Sequence, residues 1–314
     1  MDTKVQQIKE YYNHPAISQS QIKVELGIAR KEKNDDNPAL LKGSIFDCLV
    51  LTPSLYTKLF CEWTQSSAMP TGKVKQIVDT YYKRFPEEKE LHRNTEGLVQ
   101  IMDELEYNMR YKTPTRINTV VVNKNGQKYL EHLHLQGDRK LVPADLRINL
   151  YAPSELLRYH LKDQLASEHE AQKPVYFKYN GKECKGLIDL VVFNEDSIEL
   201  YDIKYTELPI EDYNTEIRRR RTDMQLSFYR EALQLIYDKP VTCHIAVYSK
   251  VDNTCVTIDI SDLDLQIAKY GAVKDLGDIY INDSIVKHRM RIKGWVEYFE
   301  PREQDALDIP SIWN

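Results

Sequence analysis

The sequence predicts an α/β protein with a mixed central sheet flanked by helices and a mostly helical stretch set into it. Three observations predict this. Three β-branched and aromatic runs lie a short turn apart between residues 175 and 204, the best helix of the chain follows over 216–237, and another apolar run, 241–248, comes after that helix. In all, 42% of the 314 residues are hydrophobic and 29% charged, the composition of an ordinary globular chain able to bury a substantial core.

Taken in order, the segment Tyr11-Tyr-Asn-His-Pro-Ala-Ile-Ser-Gln-Ser20 leads into a helical run over 21–26, with Ser18 or Ser20 as its N-cap. Residues 40–51 read as an apolar-faced helix that carries Asp47 and is stopped by Pro53. The stretch from 54 to 150 is least legible: a loop over 63–72, amphipathic helices over 73–82 and 95–111, a turn at 123–126 and a helical run over 127–134. Within it Lys73, Lys75, Lys83 and Arg84 alternate with Tyr81, Tyr82 and Phe85. That mixture suits either a nucleic-acid backbone or, more plainly, a helix face over core aromatics. A helix over 154–170 is expected to start on Ser154 as N-cap and to end near Glu168 and Glu170, which are either solvated or metal ligands.

Residues 175–179 and 182–193 form a hairpin about Asn180-Gly181, and the turn Asn194-Glu-Asp-Ser197 leads to a third strand over 198–204. Gly186 marks a bulge or a close backbone approach. The second hairpin can bring Asp189, at the start of one strand, beside Asp202, at the end of the next. Lys204 lies two residues beyond Asp202, and that spacing puts both side chains on one face of a strand. Two carboxylates and an ammonium then converge. Carboxylates with waters and a substrate phosphate are what Mg²⁺ or Mn²⁺ takes, and an adjacent lysine can orient the attacking water or offset charge on the reacting phosphate. The plain alternative is a surface ion pair.

The helix over 216–237 contains four consecutive arginines, residues 218–221. They cover more than a turn, so some face the site and others face solvent. Arg218 and Arg221 are the candidates for phosphate contacts, and pairing with Glu211, Asp212 or Glu216 is the alternative. Gln225 and Tyr229, four apart, share one helix face. His244, inside the strand 241–248, reads as a satisfied core histidine. A strand is expected over 254–260. The remainder reads as helical through 285–298, ending in Gly294-Trp-Val-Glu-Tyr298 and the segment 307–313, which would dock on the core or on a neighbouring subunit.

The five cysteines are odd in number and scattered, which suits reduced thiols and excludes the close spacing of an iron–sulfur cluster. No run is long or apolar enough to span a membrane, and the first residues lack a signal-peptide pattern, so a cytoplasmic setting without membrane partners is expected. A net charge of −5 argues against a general nucleic-acid coat but leaves room for a local basic channel.

Together, Gly186-x-x-Asp189, Asp202-Ile-Lys204 and Gln225-x-x-x-Tyr229 resemble the PD-(D/E)XK nuclease superfamily. The likeness is to its RecB-like branch, most of all the phage-type exonuclease VIII (RecE-like) proteins. The Pro-Ala-Ile-Ser opening and the Trp-x-x-Tyr tail are similar to theirs, and the resemblance covers 11–53 and 172–313 in outline. It implies a restriction-endonuclease-like αβββαβ core: helices over 1–53, a mostly helical elaboration over 54–153, and the core with its tail over 154–314. It further implies a Mg²⁺- or Mn²⁺-dependent DNA exonuclease acting 5′ to 3′ on double-stranded ends in phage-type recombination or repair. An annealing protein for single strands, a ring-shaped homo-oligomer and a bacterial or phage-infected cytosol go with that reading. Asp189 and Asp202 would hold the metal with the carbonyl of Ile203; Lys204 would be catalytic; Gln225 and Tyr229 would face the site; Lys185 would meet phosphate. The chain departs from the pattern twice: Asp47 stands where the family has a metal-binding His, as a ligand or as a structural residue, and Gln172 stands where it has a Glu. A non-catalytic DNA-binding protein on a decayed nuclease fold and a structure- or sequence-specific endonuclease are the alternatives.

Overall fold

A computed structural model describes residues 3–29, 37–63, 69–281 and 284–299. In chain order the elements are α1 (Thr3–Asn13), β1 (Ile17–Ser18), α2 (Gln19–Glu25), α3 (Pro38–Leu51), α4 (Tyr56–Leu59), β2 (Phe60–Trp63), α5 (Gly72–Arg84), α6 (Thr95–Glu104) and α7 (Thr113–Asn118). A π-type turn, Thr119–Asn123, precedes α8 (Gly126–Gln136), β3 (Lys140–Pro143), α9 (Ala144–His160) and α10 (Lys162–Ala166). Then come β4 (His169–Tyr179), β5 (Lys182–Phe193), β6 (Ile198–Thr206), α11 (Ile210–Arg220), α12 (Thr222–Tyr237), β7 (Val241–Ser249), β8 (Thr254–Asp259), α13 (Asp262–Tyr270), β9 (Ala272–Ile281) and β10 (Ser284–Ile292). The chain divides into two compact units, residues 1–52 with 151–314, and residues 53–150.

The first unit is built on a mixed six-stranded sheet in the order β1-β5-β6-β7-β8, with β4 on the other edge of β5. Tight turns make β4, β5 and β6 antiparallel, Asn180 and Gly181 both taking the left-handed backbone that a two-residue hairpin requires. The α11–α12 crossover then returns the chain so that β7 pairs with β6 in parallel. Both strands are largely buried, because helices cover them. Leu226, Phe228 and Leu233 of α12 pack with Leu200, Ile245 and Val247 of the sheet in one core. Trp295 is sealed inside it, its ring against Phe228 and Tyr179 and its indole N–H donating to Ser227 Oγ at 3.2 Å, so of the two docking readings for this tryptophan the core is the one found. Segment 307–313 lies outside the described residues.

The second unit packs α5, α6 and α8 about Ile77, Tyr81, Leu98, Ile101 and Leu130, with a two-stranded parallel ladder of β2 and β3. Trp63, expected in a loop, is in that ladder. The basic and aromatic mixture resolves into a helix face over core aromatics: Tyr81 is fully buried, Lys75 pairs with Asp79 at 2.8 Å, Arg84 clasps Glu104, and Lys73 caps the end of α6 through the carbonyl of Leu105.

Four expected elements differ. Ser18 caps α2 with a full capping box, but Ser154 caps nothing: α9 begins at Ala144 and runs through Pro153, and Ser154 Oγ donates back to the carbonyl of Tyr151. Its N-cap look came from a local Pro-Ser signal that the surrounding helix overrides. Glu170 belongs to β4 rather than to a helix end. The helix over 216–237 is two helices, broken where Arg221 adopts φ 51°. Residues 285–292, read as helical, pair with β9 as a hairpin. The charged Lys287, Arg289 and Arg291 alternate with Val286, His288, Met290 and Ile292, and that period of two is the strand signal in the segment.

Candidate active site

Strand β5 is shared at one edge. Residues 184 and 185 pair with β1 and residues 190–193 with β6, leaving 186–189 between them. The β5–β6 ladder closes at Leu190↔Tyr201, so the next cross-strand pair would be Asp189 opposite Asp202. There the strands fork. Asp189 Oδ2 reaches across and accepts the backbone N–H of Ile203 at 2.9 Å, standing in for the missing ladder bond.

Into this fork come the groups that the spacing brought together. Lys204 Nζ lies 2.6 Å from Asp202 Oδ2 and donates to the carbonyl of Ile203 at 3.2 Å. Gln225 Nε2 donates to Asp202 Oδ1 at 3.0 Å. Asp202 is only 2% exposed, and the Lys204 ammonium is the partner of its Oδ2. Tyr229 lies with its ring over Gly186: a Cβ there would stand 2.8 Å from Tyr229 Cε1, so Gly186 is the close approach of backbone and ring. Asp47, on α3, is within electrostatic reach of Asp189, Lys204 and Asp202.

Three acids thus surround one ammonium. Burial and then Asp202 push the Asp189 carboxyl up to about 7, against the pull of Lys204 and of the Ile203 N–H. Burial and then Asp189 push Asp47 well above the usual carboxylate range. Burial alone would lower the Lys204 ammonium, but Asp202, Asp189 and Asp47 together hold it above the ordinary lysine value. A site with three acids about one ammonium, and so with negative charge in excess, fits a cation. Asp189, Asp202 and the Ile203 carbonyl offer hard oxygen donors, and a Mg²⁺ site needs only one or two carboxylates beside waters and a phosphate. Among the described residues no three His, Cys, Asp or Glu side chains are gathered as a metal cluster, and Asp47 stands near the acidic pair.

Other expected residues have different tasks. Lys185 is 8% exposed, and its ammonium donates to the carbonyls of Tyr11 at 2.8 Å and His14 at 2.7 Å, which caps the end of α1; a phosphate contact is not what this amine makes. Arg221 turns inward, with Nε on Asp223 Oδ1 at 3.1 Å and Nη1 on the carbonyl of Lys293 at 2.9 Å, while its Nη2 is buried without a hydrogen-bond partner among the described residues. Arg219 and Arg220 clasp Glu216, holding its carboxyl down at about 2. Arg218 is exposed and makes no ion pair among the described residues. Glu168 and Glu170 are exposed, and Glu170 pairs with Lys173 at 2.6 Å. Gln172 stands opposite Asp189 in the β4–β5 register but takes φ 51°, a left-handed break in the strand. His244 is satisfied as expected, bonded to Asp259 and Thr242 and stacked on Tyr201.

Sequence reasoning missed two neighbours of the acids. Lys23 of α2 donates to the carbonyl of Arg220 at 2.8 Å and lies near Asp202 and Lys204; burial lowers its ammonium to about 8, against the pull of Asp202 and Asp223. Tyr12 of α1 lies near Asp189 and Asp47. Neither has a spacing signal relative to the strands, because the amino-terminal helices reach the site only through tertiary packing.

No protein-family model matches the chain, and no curated protein matches it. Among solved structures it is similar to a provisionally named exonuclease from Eubacterium rectale, with 12% identity and a TM-score of 0.38 over 84% of this chain and 77% of that one. It is also similar to the protein SSO0001, with 11% identity and a TM-score of 0.24 over 73% of this chain and 84% of that one. Both likenesses are too slight to carry chemistry, which therefore rests on the residues at the fork of β5 and β6.

Proposed function

We propose that this chain is a Mg²⁺- or Mn²⁺-dependent deoxyribonuclease that hydrolyses phosphodiester bonds, an exonuclease acting 5′ to 3′ on double-stranded ends in phage-type recombination or repair. The observation that carries the reading is the Asp189–Asp202 pair at a strand fork, with the ammonium of Lys204 2.6 Å from Asp202 Oδ2 and acids in excess around it. Asp189, Asp202 and the Ile203 carbonyl would hold the divalent ion. When bound, the ion supplies Lewis acidity toward a phosphate oxygen and makes water a stronger nucleophile.

The protein's own groups do the rest. Gln225 fixes the Asp202 carboxylate by donating to Oδ1, and Oδ2 is the oxygen that the ion would share with the Lys204 ammonium. Lys204, a third exposed and surrounded by acids, stays charged and sits where it can orient the attacking water or offset the negative charge growing on the phosphate. Tyr229, packed over Gly186, seals the floor beneath Asp189. Arg218, exposed and without an ion pair among the described residues, is the arginine of the run best placed to meet a DNA backbone. DNA ends are the proposed partner, with an annealing protein and a ring of subunits as further expectations of the same reading.

End-labelled linear DNA and closed circular DNA, incubated with Mg²⁺, with Mn²⁺ or with EDTA, test the proposal. Metal-dependent loss of the linear form alone supports an exonuclease, and 5′ against 3′ labels read the direction. Cutting of the circle points to the endonuclease alternative. A second reading, DNA binding without hydrolysis, is favoured by the amine of Lys204 lying on the Asp202 oxygen and on the Ile203 carbonyl that an ion would need. Binding with no cleavage under either metal would establish it in place of the first.

A further inference from the structure

Three features near the amino terminus have no role in the chemistry above. The ammonium of Lys185 is buried and spent on the carbonyls of Tyr11, Tyr12 and His14. It also stands 4.8 Å over the centroid of the Tyr11 ring. The turn beyond is pinned as well: His14 Nδ1 accepts the N–H of Ala16 at 3.2 Å, and the His14 ring packs on Tyr176 at 4.7 Å. A charge taken out of water is costly unless it is fully bonded, so this cation serves to hold the end of α1 in one conformation.

What it holds is Tyr12. Tyr11 and Tyr12 are sequence neighbours with opposite fates: Tyr11 is 8% exposed and Tyr12 67%, their rings edge to face at 5.4 Å. A lone exposed tyrosine is ordinary. The backbone of this one is held by a buried ammonium, Lys185 Nζ reaching the Tyr12 carbonyl at 3.5 Å, and Lys185 lies on β5 four residues before Asp189, on the same face of the strand. A neutral ring has no charge to pair with a phosphate, so the part of a nucleic acid that can lie against it is a base, whose π-face needs no charge. A pre-positioned ring also loses little entropy when a base lands on it.

We propose that Tyr12 is a stacking platform for an unpaired DNA base next to the reacting phosphate, and that Lys185 is the positioning residue that presents it. The inference rests on the nuclease reading of the fork for its location, but binding tests it separately. A short single-stranded DNA carrying 2-aminopurine is titrated with the full chain in EDTA, followed by anisotropy and by 2-aminopurine fluorescence. Stacking predicts quenching with the wild type and with Tyr12→Trp, and loss of quenching with about tenfold weaker binding for Tyr12→Ala. Lys185→Met, if it folds, should lose quenching while Tyr12 is intact, and a Tyr12→Ala/Lys185→Met double variant should bind no more weakly than Tyr12→Ala alone. Under Mg²⁺ or Mn²⁺, Tyr12→Ala should raise KM more than it lowers kcat.

Unchanged quenching and affinity in Tyr12→Ala overturn the proposal, as does a Tyr12→Trp variant as weak as Tyr12→Ala. The two readings fail differently. A wild type that quenches 2-aminopurine but never cleaves leaves the platform standing and removes the nuclease. A wild type that cleaves, with Tyr12→Ala indistinguishable from it, does the reverse.

Discussion

The two units of the chain treat buried acids in opposite ways. In the unit of residues 53–150, Asp79 accepts the Tyr129 hydroxyl at 2.9 Å on one oxygen and the Lys75 ammonium at 2.8 Å on the other. One acid meets one cation and one donor, and nothing is left over. At the fork of β5 and β6, three acids share one ammonium. The first arrangement is what stability asks for. The second costs stability, since like charges in a partly buried space raise each other's proton affinity. Folding gains nothing from such a surplus, which is why the fork, and not the helical unit, is the place to look for chemistry.

The sharpest break in that comparison is to neutralise one acid in each unit. Asp202→Asn should lower metal-dependent cleavage by about a thousandfold or more, since it removes a hard ligand and the partner of Lys204. Metal-free protein carrying it should melt no lower than wild type, because a like-charge repulsion goes with it. Asp79→Asn should do the opposite: cleavage unchanged, and stability lower by about 1–2 kcal/mol from loss of the charged acceptor. Melting curves in EDTA beside the digestion assay decide both; equal effects of the two substitutions on cleavage would erase the contrast.

A pH series sharpens the electrostatic side. The Asp189 carboxyl, raised to about 7 in the folded chain from an ordinary 3.8, binds its proton more tightly when folded. Its contribution to stability is therefore fully present below about 4 and is lost as pH rises through about 7. In EDTA the melting temperature should fall across that window, by the equivalent of at most about 4 kcal/mol. Asp189→Asn should flatten the fall, and excess Mg²⁺ should oppose it by binding the ionised form. A flat profile in EDTA would mean that the three acids are not in conflict.

The smallest effect concerns packing at the fork. Gly186→Ala places a methyl against the ring of Tyr229 and 3.1 Å from Val175 Cγ2, and should cost about 1–3 kcal/mol of stability. Chemical denaturation measures it. Pairing the change with Tyr229→Ala should recover part of the loss if the ring is the obstacle.

Much of the sheet was legible because its signals are local. Asn180-Gly181 and Asn194–Ser197 set the hairpin registers, and register with a two-residue period places Asp189, Asp202 and Lys204 together. Gln225 and Asp202 meet because one helix face covers the sheet. The helix break at Arg221 was not legible: an arginine run has good helix propensity, and only the ties of this side chain to Asp223 and Lys293 reveal that the left-handed residue is built in. Ser154 and the strand at 285–292 were misread for a related reason, since a cap or a period noticed in isolation is weaker than the neighbours that surround it.

What the sequence by itself determined is the acidic pair with its lysine, because turn chemistry and strand alternation act over a few residues and need no knowledge of the rest. Only the tertiary structure decided which cations serve the site and which serve the fold. Lys185 and Arg221 look like phosphate ligands in the sequence, yet both face inward onto backbone carbonyls, while Lys23 and Tyr12 arrive from the amino-terminal helices. The physical reason is that a long side chain goes to whichever partner packing brings within reach, and its sequence neighbours carry no record of that partner.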